Sequence, residues 1–348
     1  MLNQKYGFAS RLLHRVALGS TRIRQASFEL EKNSSAKGPC PKTAPPVFIS
    51  GLARSGSSIL TQVLFSTGDF RSLTYSDMPF VLMPGIWRRI SSPFYRDGTL
   101  SERTHGDGLE IDLHSPEAFE EVFWLTFLGQ KYIKNDCLIP HAVGDITLSH
   151  FKQYVSSVQM SCDRPGELRY LSKNNNNILR LPALVDAFPD SVILITFRTP
   201  IQQAFSLLEQ HRHFSKIQRE DPFAKSYMGW LGHYEFGLLH RPFTFNQSVC
   251  EYSPDNINYW LSQWLQVYRH VLNTAPVNTI YLCHENLCHH PEMELENLLT
   301  KLNISTPYSE LSPGYRPVKP KDVPGCSEQL KEECMALYSS LNGADKLS

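Results

Sequence analysis

The sequence predicts an α/β fold built on a central, mostly parallel sheet of four to five strands flanked by helices. Three observations carry this. A short β-branched and aromatic run at 47–50 passes through a glycine-bounded loop into residues with helical apolar spacing (Ile59, Leu60, Val63, Leu64). The stretch 191–197, Ser-Val-Ile-Leu-Ile-Thr-Phe, is nearly all apolar, as a strand buried on both faces of a parallel sheet must be. Strand and helix patterns then alternate to the end of the chain.

Taken in order, residues 33–46 (NSSAKGPCPKTAPP) are polar and Pro-rich and read as a linker. The expected layout is therefore an N-terminal helical extension with its linker over 1–46 and a single domain over 47–345. Between 74 and 114 the pattern is irregular, with Pro79, Pro84 and Pro93, and one short helix is expected near 80–90. Helices are expected at 116–128 and 149–160, a strand at 169–172 and a helix over 177–188. The apolar strand leads through Arg198-Thr199-Pro200 into a helix running to about 213, with Pro in its first turn. A helix over 257–272, a strand at 279–283 and a helix at 292–302 complete the body.

Composition removes several classes of function. A chain of 348 residues with 41% hydrophobic and 20% charged residues is ordinary globular material, neither disordered nor fibrous. Its 34 basic and 34 acidic side chains cancel, which argues against general affinity for nucleic acid or an anionic membrane and leaves room for a local basic pocket. No run of about 18 apolar residues occurs, so no membrane span is expected. Eight scattered cysteines do not make a disulfide scaffold. The first 19 residues mix Lys5, Arg11 and Arg15 with leucines but lack an unbroken apolar core. They fit a mitochondrial-type presequence or an amphipathic helix packed on the domain. The second is favoured, and the expected location is cytoplasmic.

The loop Gly51-x-x-x-x-Gly56, followed by Ser57 and Ser58, has the spacing of a phosphate-binding P-loop. Backbone N–H groups and a helix N-terminus cradle an anion there, and the glycines allow close approach. A nucleotide-hydrolysing P-loop places Lys after the second glycine. Here that position is Ser57, and the cation sits within the loop as Arg54. Arg198 ends the apolar strand, where open α/β sheets bind ligands, and Ser206 follows eight residues later on the next helix. An arginine fork and a hydroxyl suit a second phosphate. Lys173 also follows a strand, ahead of an Asn cluster that reads as turn and cap residues.

Together these segments resemble the sulfotransferase family that uses 3′-phosphoadenosine 5′-phosphosulfate (PAPS). Ser50-Gly-Leu-Ala-Arg54-Ser-Gly-Ser-Ser58 is similar to that family's 5′-phosphosulfate loop in its Arg-Ser-Gly-Thr-Thr form, found in carbohydrate, tyrosyl-protein and bacterial branches. The segment from Phe188 to Arg198 and on to Ser206 is similar to the 3′-phosphate motif, and Ser172-Lys173-Asn174 to a Lys-centred segment before it. The likeness covers about 47–66 and 168–210, and extends weakly to 281–287 and to Val318-Lys319-Pro320. It implies that Gly51, Arg54, Ser55, Gly56, Ser57 and Ser58 hold the phosphosulfate end, that Arg198 and Ser206 hold the 3′-phosphate, and that Lys319 adds a donor contact. Arg54 and Lys173 then face the charge that develops in transfer. No metal is implied, and adenosine 3′,5′-bisphosphate (PAP) is the expected product.

The sequence departs from the family in two ways. Ser57 and Ser58 replace the usual threonines, and Thr199 stands where an aspartate normally follows the arginine. An acceptor-binding insertion is expected at about 70–165. Within it, Asp77 is the first candidate for the acceptor's general base and His105 the second, with helix capping as the competing role of Asp77. The acceptor class is open among small-molecule, carbohydrate, lipid and protein hydroxyls or amines. Cys283-His284…Cys288-His289-His290 lacks the spacing of a zinc site. Tyr259, Trp260, Trp264 and Tyr268 form a helical core stripe. Two rival functions are an ATP-dependent small-molecule kinase, opposed by the missing Lys at 57, and a catalytically silent nucleotide-binding adaptor.

Overall fold

The structure is a computed structural model that describes residues 7–35, 44–92, 101–102, 110–245, 251–317 and 319–344. Strands β1 (Val47–Ser50), β2 (Phe70–Arg71), β5 (Arg169–Lys173), β6 (Val192–Phe197) and β7 (Thr279–Cys283) form one sheet. Their order is β2-β5-β1-β6-β7, and every pairing is parallel. A separate antiparallel pair joins β3 (Ser101–Glu102) to β4 (Glu110–Ile111). The expected sheet is therefore present, with five strands.

Successive side chains of a strand face opposite sides of the sheet. Phe48 of β1 and Ile193, Ile195 and Phe197 of β6 enter the larger core, whereas Val47, Ile49 and Leu194 enter the smaller one. Both faces are covered, which is why these strands carry almost no polar side chains. The smaller core is closed by α3 (Ser57–Ser66) and, further along, α12 (Pro291–Lys301). The larger is closed by α5 (Glu121–Tyr132), α6 (Asp145–Met160), α8 (Pro200–Glu220) and α10 (Ile257–Thr274). The remaining helices are α1 (Phe8–Gly19), α2 (Thr21–Ser35), α4 (Pro84–Ser91), α7 (Leu181–Ala187), α9 (Pro222–Leu231), α11 (His284–His289) and α13 (Glu328–Ala344).

The N-terminal helices are part of the body. Leu18 and Phe28 lie in the larger core, and Phe28 packs edge-on against Phe127 at 5.1 Å. The Glu31 carboxylate accepts hydrogen bonds from the backbone N–H groups of Gly85 (3.2 Å) and Ile86 (2.9 Å), capping the first turn of α4.

One buried polar cluster fixes the corner beside β5. The Arg180 guanidinium donates to both oxygens of Glu121 at 3.1 Å and lies over the rings of Trp124 and Tyr132. Neighbouring Glu120 accepts from Trp124 Nε1, Tyr170 Oη, Asn174 Nδ2 and Asn177 Nδ2 at 2.9–3.2 Å. Asn174 Nδ2 also donates to Glu121 at 2.8 Å. The Asn cluster thus caps and ties the end of β5 to the start of α5, fixing the residue just before it, Lys173. Arg180→Met leaves Glu121 charged and buried without its partner, so it is expected to cost about 3–5 kcal/mol of stability. Urea unfolding checks this; a loss under about 1 kcal/mol, the scale of an exposed pair, would show the cluster to be marginal.

Candidate active site

The glycine loop leaves β1 at Ser50 and turns with left-handed backbone at Gly51 (φ 139°), Arg54 (φ 70°) and Gly56 (φ 87°). A Cβ on Gly51 would collide with the carbonyl oxygen of Thr196, and one on Gly56 would lie 2.5 Å from His284 Nδ1. Only glycine lets the loop pass so close to its neighbours. Arg54 adopts the strained region with a full side chain, a cost of order 1–2 kcal/mol that the surroundings must hold.

Buried Gln203 of α8 supports the loop from beneath. Its Nε2 donates to the carbonyls of Leu52 (3.2 Å) and Ala53 (3.0 Å), and its Oε1 accepts from Trp264 Nε1 (3.0 Å). In a planar trans peptide the N–H points opposite to the C=O. The Ala53 and Arg54 N–H groups are therefore turned away from Gln203. Ser55 Oγ meets Thr196 Oγ1 at 2.7 Å, and Tyr268 Oη donates to the Thr196 carbonyl at 2.8 Å. The expected core stripe of α10 thus also braces the loop.

Arg198 emerges from the carboxyl end of β6. Arg54 Nε donates to Ser206 Oγ at 3.1 Å, so the loop and the second expected anion segment meet in one place. Glu285, at the start of α11, accepts from Thr199 N–H with both oxygens at 3.1 Å and lies 3.8 Å from Arg198 Nε. It supplies, from another strand's end, the carboxylate that the sequence lacks at Thr199. Burial lowers the Arg198 pKa against the opposing pull of Glu285. Burial, reinforced by the Arg198 and Arg54 charges, pushes the His284 imidazole down to about 4, so the ring is neutral at neutral pH. Arg198 Nε and His284 Nδ1 are both buried without a hydrogen-bond partner. Two unsatisfied polar atoms beside a glycine cradle fit a bound anion.

Lys173 leaves β5 level with Ile49 of β1, two residues before Gly51. Its ammonium pairs with Glu117 Oε1 at 3.7 Å, and Tyr75 Oη donates to Glu117 Oε2 at 3.0 Å. Near them His233 Nδ1 lies 3.6 Å from Glu235 Oε1, which also accepts from Asn175 Nδ2 at 2.9 Å. Burial alone would lower the His233 pKa, but the Glu235 and Glu117 carboxylates raise it. Glu235 is held down at about 2, against burial, by His233.

The other expected residues fall as follows. Ser57 and Ser58 open α3 directly after the loop. Asp77, the first base candidate, is 3% exposed and fully engaged in the fold. It pairs with Arg71 at 2.6 Å and accepts from Thr74 N–H at 2.7 Å, closing a capping box with Thr74. In the fold it fills the capping role, with Arg71 as its ion-pair partner. His105 lies outside the described residues. Lys319 is exposed, three residues beyond Arg316, whose backbone reaches the Cys288 thiol. Sequence reasoning missed Glu117, His233, Glu235, Gln203 and Glu285. Gln203 lay within the similar segment 168–210 and Glu285 within the weakly similar segment 281–287; the other three carried no signal.

Sheet, loop and cations define the class, an α/β protein that gathers a glycine loop and three basic side chains at the carboxyl ends of its parallel strands. The chain belongs to the Sulfotransferase family, whose sequence model matches residues 45–308. Solved structures similar to it include a sulfotransferase from Mycobacterium tuberculosis H37Rv, 9% identical, with a TM-score of 0.49 over 95% of this chain and 84% of that one. A sulfotransferase from Mycobacterium avium is 12% identical, with a TM-score of 0.45 over 94% and 75%. The sulfotransferase domain of the Synechococcus PCC 7002 olefin synthase is 13% identical, with a TM-score of 0.39 over 88% and 97%. No curated protein matches the chain.

The His233–Glu235 pair has a defined pH window. The lowered Glu235 pKa stabilises the fold above the ordinary 4.5, and this is lost as pH falls toward about 2. The raised His233 pKa stabilises it below the ordinary 6.5, and this is lost as pH rises through the folded value. Glu235→Gln is therefore expected to destabilise most between these limits and less at pH 8. Urea midpoints of both proteins across that range, with the His233 titration followed by NMR, check it; a pH-independent difference would mean that the two side chains do not interact as charges.

Proposed function

We propose that the protein moves a sulfuryl group from PAPS to a hydroxyl or amine acceptor by in-line displacement. One observation carries the reading. The Arg54–Ser206 contact at 3.1 Å joins the glycine loop to the Arg198 segment, making two anion positions in a single cleft. A donor with a 5′-phosphosulfate and a 3′-phosphate needs both; ADP and ATP lack the second. Arg198 Nε and His284 Nδ1, buried and not hydrogen-bonded, supply hydrogen-bonding capacity there.

The loop amides, Ser57 and Ser58 would take the 5′-phosphosulfate, and Arg198 and Ser206 the 3′-phosphate. The acceptor oxygen attacks sulfur as the bond from sulfur to the 5′-phosphate oxygen breaks, and negative charge grows on that leaving oxygen. Lys173, at the sheet edge, and Arg54, in the loop, are the preorganised cations for it. Asp77 is paired with Arg71, and of the carboxylates near Lys173 Glu117 is placed to take the acceptor's proton, with the other sequence candidate, His105, outside the described residues.

Two outcomes test this. PAP is expected to raise the melting temperature far more than ADP does, since a ligand at about 100 times its Kd adds about 2.7 kcal/mol. Arg198→Ala should remove about 2 kcal/mol of that preference, the scale of a charge-assisted hydrogen bond. Equal shifts with PAP and ADP would leave the donor assignment without support. Glu117→Gln and Lys173→Ala should each lower kcat by about 100-fold or more while PAP still stabilises the protein. Unchanged turnover in either variant would remove that residue from the chemistry.

A further inference from the structure

The outward face of α1 is apolar although the helix lies at the surface. His14, Ala17 and Leu18 face the body, with His14 packed against Tyr227 at 5.7 Å. On the opposite side Phe8, Leu12 and Val16, four residues apart, are 86%, 53% and 45% exposed, and Leu13 beside them is 38% exposed. A helix that is apolar all round normally has both sides covered. The charge around it is one-sided. The first 28 residues contain Lys5, Arg11, Arg15, Arg22 and Arg24 and no acid, in a chain whose net charge is zero. Arg15 and Arg22 are exposed, while Arg11 lies over the Phe223 ring and Arg24 is buried.

We propose that α1 docks the protein on an anionic lipid surface, lying in the plane of the interface with Phe8, Leu12, Leu13 and Val16 inserted. An exposed apolar stripe with the exposed Arg15 on the same helix and Arg22 exposed at the start of the next has the pattern of an interfacial helix: hydrocarbon takes the leucines and acidic headgroups take the cations. A second copy of the chain fits less well. Twelve residues of helix span about 18 Å, too little to supply the roughly 800 Å² per partner of a stable protein interface. A two-fold pairing through α1 would also bring the same arginines toward each other. The net-charge argument against general membrane affinity does not reach this patch, because the charges that cancel over the whole chain do not cancel over its first helix. The proposal does not rest on the reaction assigned above.

The test is flotation of the full-length protein with vesicles of phosphatidylcholine alone or mixed with phosphatidylglycerol. Binding is expected to the acidic vesicles, falling with added salt and weak on neutral ones. The double variants Leu12→Gln/Val16→Gln and Arg15→Glu/Arg22→Glu should each weaken it by about tenfold or more. All four side chains face solvent, so melting temperatures should match the wild type and confirm that the variants fold. Failure of the wild type to float with acidic vesicles would overturn the proposal. So would light scattering that finds a dimer which Leu12→Gln/Val16→Gln dissociates, because the stripe would then be a self-interface.

Discussion

The glycine loop depends on one buried side-chain amide. Gln203 faces the carbonyls of Leu52 and Ala53 with its nitrogen and the indole of Trp264 with its oxygen. Those carbonyls cannot turn toward the cleft without abandoning a buried donor, a loss of about 1–3 kcal/mol. The neighbouring N–H groups consequently keep pointing away from the core. The same loop turns through left-handed residues at 51, 54 and 56, excludes Cβ atoms at both glycines and runs beside Thr196, whose carbonyl accepts from Tyr268. A site for anions needs preorganised donors more than it needs many of them.

A second constraint is charge balance. Two of the three cations at the site meet a carboxylate brought by another element: Lys173 meets Glu117 and Arg198 meets Glu285. These pairs are partly exposed at 3.7 and 3.8 Å, so they are screened and add little stability by themselves. Their use is to hold long basic side chains in place. Glu285 stands in for the aspartate missing at Thr199. Behind the site, the Arg180–Glu121 pair is fully buried and bidentate, and it belongs to the fold.

What the sequence revealed was local. The strand, glycine loop and helix at 47–66 and the strand ending at Arg198 are contiguous, and each chemical group lies within a few residues of the element that aims it. Glu117 was not legible because the fold, and no nearby residue, brings it to Lys173. Its segment also misleads. The apolar spacing from 116 suggests a helix, but Pro116 bridges to Thr74 and Glu117 N–H donates to the Leu73 carbonyl, so the chain runs extended until α5 begins at Glu121. Asp77 stands between two roles in the sequence for a related reason: the capping reading and the base reading predict the same residue type, and its partner Arg71 lies outside that local pattern. The helix α9 went unread although Asp221 followed by Pro222 is a cap and a first-turn proline. The helix predicted over 177–188 is broken because a 3₁₀ turn over Asn175–Leu179 lets Arg180 meet Glu121 before Pro182 restarts it.

The central claim is that the cleft holds two anions, one on the glycine loop and one on Arg198. A crystal structure of the protein soaked with adenosine 3′,5′-bisphosphate tests it most directly. The account predicts the 5′-phosphate against the backbone N–H groups of Gly56, Ser57 and Ser58, and the 3′-phosphate on the Arg198 guanidinium, with the Ser206 hydroxyl turned to a phosphate oxygen. A nucleotide bound with its 3′-phosphate in solvent, or bound away from the glycine loop altogether, would contradict it.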